Sequence, residues 1–186
     1  MKSKEKILNI AIMGVMVALL CVICPLSIPI GPVPVSLAVM VLYLIVYLFG
    51  GVKGTICCAI YILIGIIGVP VFSGYGAGLA KVAGPTGGYI VGYIFLCMIC
   101  GGALWLGKGK LWVYIIGMVL GILVAYVFGS AWFMISLEAK LSYTLKVCVY
   151  PFLPFDAAKI VIIAIAGPLI KKPLRKIEGM DKVLRF

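Results

Sequence analysis

Six apolar runs, parted by turns that carry glycine, proline or lysine, constrain this chain more than anything else in it. They cover approximately residues 7–24, 35–49, 55–69, 89–106, 111–135 and 153–170, and the first five hold no charged side chain. A helix crossing a bilayer needs roughly 20 apolar residues, about 17–25 in practice, because the hydrocarbon layer is about 30 Å thick. Hydrophobic residues make up 65% of the 186, against about 45–50% in a soluble domain. Too few polar residues remain to cover a core in water, so the bilayer is the solvent for most of the chain. The pattern predicts an all-α integral membrane protein, a single transmembrane domain over 1–186 with six transmembrane helices. The second run is short, so it either begins within the preceding loop or sits in thinned bilayer.

Charge sets the orientation. The net charge is +11, which raises nucleic-acid binding as a reading, but the distribution argues against it. Of sixteen Lys and Arg, three lie in the N-terminal tail, one at Lys53, two at Lys108 and Lys110, and six in the C-terminal tail, twelve in all on one side. Lys81, Lys140 and Lys146 fall on the other side, and Lys159 lies inside the sixth run. Basic residues gather on the cytoplasmic flank of spans, so both termini are expected in the cytoplasm, which an even number of spans satisfies. The first run has no clear small-residue cleavage site and reads as a span rather than a signal peptide. No internal repeat stands out, which weakens a secondary-transporter reading built on inverted halves.

Several chemistries fall away on composition. There is no His, so the commonest general base and metal ligand is missing. No G-x-x-x-x-G-K-[ST] phosphate loop occurs, so ATP hydrolysis by that route needs another chain. Cys21-x2-Cys24 and Cys97-x2-Cys100 have the spacing of zinc or redox pairs, but the topology puts them at opposite membrane faces. They read as small apolar helix residues. No cofactor is expected, and the chain does not read as an enzyme.

The outer face carries the unusual features. Pro25, Pro29, Gly31, Pro32 and Pro34 punctuate a loop with no charge, and residues 70–88 form a glycine-rich loop. Irregular backbone at membrane depth is tolerated only against protein or a cavity. The inner connections, by contrast, are short: Gly50-Gly51-Val52-Lys53-Gly54 reads as a tight turn and Gly107–Lys110 as a basic one. Residues 136–151 read as a polar loop, in part helical.

Asp156 and Lys159 carry the sharpest signal. Three residues apart, they share one helix face near the outer end of an otherwise apolar run. Ionisable residues within a span are costly and face a cavity or each other. They read either as a self-neutralising pair that seals the bundle or as a ligand clamp. Gly84, Thr86, Gly87, Gly88 and Tyr89 open the fourth span, where glycines admit close approach of a ligand and free N–H groups favour an acceptor. Tyr89 and Tyr93, four residues apart, offer an apolar wall with a polar tip, or else interfacial anchors. Ala11, Gly14 and Ala18 give the first span a face of small residues, fit for close helix packing within the bundle or for docking to another membrane protein.

Four segments, in this order and spacing, carry a family resemblance: Gly31-Pro32-Val33-Pro34-Val35-Ser36-Leu37, Gly68-Val69-Pro70-Val71-Phe72, Gly84-Pro85-Thr86-Gly87-Gly88-Tyr89, and Pro151-Phe152-Leu153-Pro154-Phe155-Asp156-Ala157-Ala158-Lys159. Over nearly its whole length the chain resembles the BioY family, the biotin-specific S components of energy-coupling factor (ECF) transporters. The resemblance implies an S-component-like bundle of six helices in the bacterial plasma membrane that captures biotin from outside. It also implies docking, through Ala11, Gly14 and Ala18, to a transmembrane coupling protein that carries two ATPase subunits. Asp156 and Lys159 are then expected at the biotin head group, with Val35 and Ser36 of the first-loop motif in the ligand set. The chain departs from the family pattern at Ala38, where Gln is frequent, and at Phe155, where Gly is frequent. An S component for another small vitamin, or a stand-alone secondary transporter, are the competing readings.

Overall fold

A computed structural model describes residues 2–29, 33–177, 179–180 and 183–184. Gly31 and Pro32 of the first-loop motif, and Lys182 and Arg185 of the basic tail, lie outside the described residues. The elements in order are α1 (Lys2–Ile23), β1 (Ser27–Ile28), β2 (Val35–Ser36), α2 (Ala38–Phe49), α3 (Gly51–Ile66), a short 3-10 turn (Ser73–Tyr75), α4 (Gly78–Ala83), α5 (Gly87–Leu106), α6 (Leu111–Leu137), α7 (Leu141–Cys148) and α8 (Phe152–Leu174).

Among the described residues, four helices are long and apolar enough to cross a membrane: Glu5–Ile23 of α1, then α5, α6 and α8. Two further apolar helices, α2 and α3, are shorter, with 12 and 16 residues. At 1.5 Å per residue they reach only about 18 and 24 Å. The shortness of α2 has a physical reason. Ten of its residues are buried, so it is apolar all round because protein surrounds it, and it has little lipid-facing length to match.

The structure corrects the sequence reading in three places. The fold is not purely α: β1 and β2 pair antiparallel, Ser27 with Ser36 and Ile28 with Val35. The expected turn at residues 50–54 is a single residue. Gly50 alone, at φ 88, takes a backbone conformation that side chains disfavour, and Gly51 already begins α3. The glycine-rich stretch 70–88 is likewise not open loop, because it holds the 3-10 turn and α4.

In lipid no hydrophobic force drives helices together, so close packing over small residues must hold them. The α5–α6 pair does this along its length. A Cβ added at Gly88 would lie 2.3 Å from Trp132 Cβ and 2.4 Å from the Phe128 carbonyl. One at Gly117 would lie 2.4 Å from Ala103 Cβ. At the other edge α1 packs through Val17 and Leu20, which are buried.

Away from the loops that precede α2, α5 and α8, tyrosine hydrogen bonds tie the core helices together. Tyr43 of α2 donates to the Met118 carbonyl at 2.9 Å, and Tyr114 of α6 donates to the Tyr43 carbonyl at 2.6 Å. Leu96, Leu104 and Met118 are fully buried in the same core. Tyr114 packs against Tyr47 at 5.3 Å between ring centroids, and the Lys171 ammonium lies 4.7 Å from the centre of the Tyr47 ring.

Candidate ligand-binding site

At the opposite end the bundle is hollow. The N-terminal turns of α2, α5 and α8, the C-terminal half of α3 and the middle of α6 surround a cavity of about 590 Å³, its open mouth included. The space open to the centre of a water molecule is about 40 Å³, so the walls stand close. The wall is mostly apolar and aromatic: Val39, Tyr61, Phe72, Tyr89, Ile90, Tyr93, Ile122, Tyr126 and Phe152. A largely apolar cavity with a few placed polar groups is the usual form of a small-molecule site.

The two buried charged groups of the wall come from α8. Pro154 falls in the first turn of this helix, where its missing N–H takes no bond away, and the helix then presents Asp156 and Lys159 on one face. Both line the cavity, and they are 4% and 5% exposed. Lys159 Nζ lies 2.8 Å from Asp156 Oδ1 and 2.8 Å from the Ser36 carbonyl. Tyr126 of α6 donates to Asp156 Oδ2 at 2.5 Å. Two desolvated charges are tolerated only when paired and hydrogen-bonded, and this network meets both conditions. It also retains capacity. An ammonium has three donors and a carboxylate about four lone-pair sites, and the described residues engage two of each.

Ser36 is held in place by both its backbone and its hydroxyl. The hydroxyl donates to the Cys24 carbonyl at 3.4 Å and accepts from Ala38 N–H at 3.0 Å, at the first residue of α2. The β1–β2 pairing fixes its backbone, which aims the carbonyl at Lys159. Val35, its neighbour in β2, is buried and is not among the residues that line the cavity.

The two tyrosines of α5 differ. Tyr89 donates to the Cys148 carbonyl at 2.6 Å and stacks on Phe152 at 6.3 Å, so its ring faces the cavity while its hydroxyl ties α5 to α7. Tyr93 is buried on the same face, and among the described residues its hydroxyl has no hydrogen-bond partner. The other three phenols of the wall are committed, Tyr61 to the Val71 carbonyl at 3.1 Å and Tyr89 and Tyr126 as above. Burial pushes the Cys148 thiol up to about 11, so it is a neutral thiol at physiological pH and no nucleophile.

Thr86 lines the cavity, but Gly84, Gly87 and Gly88 do not. A Cβ on Gly87 would lie 1.6 Å from the Val82 carbonyl, and the Gly84 carbonyl accepts from Trp132 Nε1 at 3.0 Å. In this structure the three glycines set α5 against α4 and α6. The structure also adds residues to the site: Tyr126, Tyr61, Phe72 and Lys81 all line the cavity. Phe72 can lie there because Gly65 has no side chain; a Cβ on Gly65 would fall 2.2 Å from its ring.

On α1, Ala11, Gly14 and Ala18 are exposed, and a Cβ added at Gly14 meets nothing within 4 Å. The small face therefore turns away from the bundle.

The hollow apolar bundle defines a class of protein, one that binds a small molecule within a membrane. The family follows from the sequence. The model of the BioY family matches residues 1–176, and the chain belongs to that family. It is 33% identical over 160 residues to the biotin transporter BioY of Thermotoga maritima, covering 86% of this chain and 93% of the relative. It is 37% identical over 132 residues to a probable biotin transporter BioY of Pyrococcus horikoshii, covering 71% and 75%. In three dimensions it matches the crystal structure of the S-component for biotin from an ECF-type ABC transporter. The TM-score is 0.85 at 26% identity, with both chains covered in full. Membership in this transporter family and several long apolar helices make the chain a multi-pass membrane protein.

Proposed function

We infer that this chain is the substrate-binding S component of an ECF-type importer for biotin, and not an enzyme. One observation carries the reading: a narrow aromatic cavity with the Asp156–Lys159–Tyr126 network in its wall, in a member of the BioY family. Biotin has a ureido head with two N–H donors and a carbonyl, an apolar bicycle, and an aliphatic tail that ends in a carboxylate. Asp156 accepts from a ureido N–H, and the third donor of Lys159 serves the ureido carbonyl. Tyr93, whose hydroxyl is uncommitted among the described residues, adds a polar contact. Tyr89, Phe152 and Phe72 enclose the apolar parts.

In this reading the chain is one domain that crosses the cell membrane six times. Both termini are cytoplasmic and the cavity faces outward, as the twelve-to-three distribution of Lys and Arg supports. The exposed face of Ala11, Gly14 and Ala18 docks to a transmembrane coupling protein, and two ATPase subunits on that protein drive delivery inward.

Biotin titration of the purified protein tests the assignment. Asp156→Asn and Lys159→Ala each remove a charged hydrogen bond, worth about 1.5–3 kcal/mol, or about ten- to a hundredfold in affinity. Circular dichroism and size exclusion are expected to show folded, monodisperse protein, with a lower melting temperature because each variant leaves one buried charge without its partner. Unchanged biotin affinity in both variants would sink the assignment.

A further inference from the structure

We propose that Lys81 anchors the anionic end of the ligand, so that the cavity selects an acid over its neutral analogue. The proposal rests on the biotin reading and adds a residue to it. Three charged side chains line the cavity: Asp156, Lys159 and Lys81. The first two neutralise each other at 2.8 Å. Lys81 is left over. Among the described residues no hydrogen bond or ion pair reaches its ammonium. The cavity therefore carries one net positive charge, and a ligand with one negative charge makes it neutral. In surroundings of low polarity that match weighs more than it does in water.

The side chain is aimed by packing. A Cβ built on Gly76 would fall 2.7 Å from Lys81 Cε, 2.8 Å from Cδ and 3.0 Å from Cγ, so the lysine stem lies across a residue with no side chain. Gly76 is itself fixed, because its carbonyl accepts from Phe72 N–H at 3.0 Å. The α4 lysine is thus laid along the segment that also brings Phe72 into the cavity wall. Lys81 is half-buried, as are Ser73 and Thr86 nearby in the lining, whereas Asp156 and Lys159 are buried. The uncompensated cation accordingly lies nearer the mouth, and the neutral network lies deeper. Biotin has the matching polarity, a neutral ureido group at one end and a carboxylate at the other.

The test compares biotin with biotin amide, in which a neutral carboxamide replaces the carboxylate, on wild type, Lys81→Gln and Lys81→Arg. Wild type is expected to prefer biotin by about tenfold or more, the scale of one charge-assisted hydrogen bond. Lys81→Gln is expected to lose that preference by weakening biotin alone, with amide affinity held, which also shows that the variant is folded. Lys81→Arg should restore it. An equal loss for both compounds would mean that Lys81 only supports α4, and an undiminished preference in Lys81→Gln would put the carboxylate elsewhere. Either result overturns the assignment of Lys81 and leaves the biotin reading standing. Wild-type protein that binds neither compound overturns the biotin reading, and the proposal with it.

Discussion

The α5–α6 seam and the outer face of α1 use the same kind of residue to opposite ends. In the seam, Gly88, Gly92, Gly117 and Gly121 lie against the other helix, and a Cβ at any of them would meet it within 2.3–3.1 Å. On α1, Ala11, Gly14 and Ala18 are exposed, with open space beyond Gly14. In lipid, a small residue is useful chiefly where another backbone comes close. The seam has that backbone within the chain. The α1 face does not, which fits a helix whose partner is a separate protein. Small residues in a membrane helix therefore mark a close approach without saying whose.

Substitutions can break the comparison or sharpen it. The largest effect is expected for Gly88→Val. Its side chain would collide with the Phe128 carbonyl, which is backbone and cannot turn away, at a cost of about 3 kcal/mol or more. Little monodisperse protein should survive extraction in detergent, and a variant that melts like wild type would show that the seam is not what joins α5 to α6. Gly14→Leu should separate folding from assembly. Melting temperature and biotin affinity stay at wild-type values, while copurification with the coupling protein and ATPase subunits is lost; a full complex would free this face of any docking role. The smallest effect belongs to Gly102→Ala. Gly102 is exposed on α5 with nothing within 4 Å of an added Cβ, so the melting temperature should hold or rise, by at most about 1 kcal/mol in stability. A clear loss there would place an unrecognised contact at Gly102.

The long helices were legible in the sequence because a membrane span announces itself by length and uncharged composition. Asp156 and Lys159 were legible for the complementary reason, as charges where charge is costly. Tyr126 was not. It is one of several aromatics in the 27-residue helix α6, and its bond to Asp156 spans 30 residues of sequence, which no local pattern encodes. The β1–β2 ribbon escaped because two-residue strands have no period to detect. Gly87 and Gly88 show a different limit. Their lack of side chains pointed to close approach, but the approaching atoms belong to Val82, Phe128 and Trp132 rather than to a ligand.

Below the cavity, the hydroxyls of Tyr43 and Tyr114 are each bound to a backbone carbonyl, in a core that also holds fully buried Leu96, Leu104 and Met118. Both phenol protons are thus spent on the backbone, one across α2 and α6 in each direction. A proton finds neither phenol free to step onto at this level.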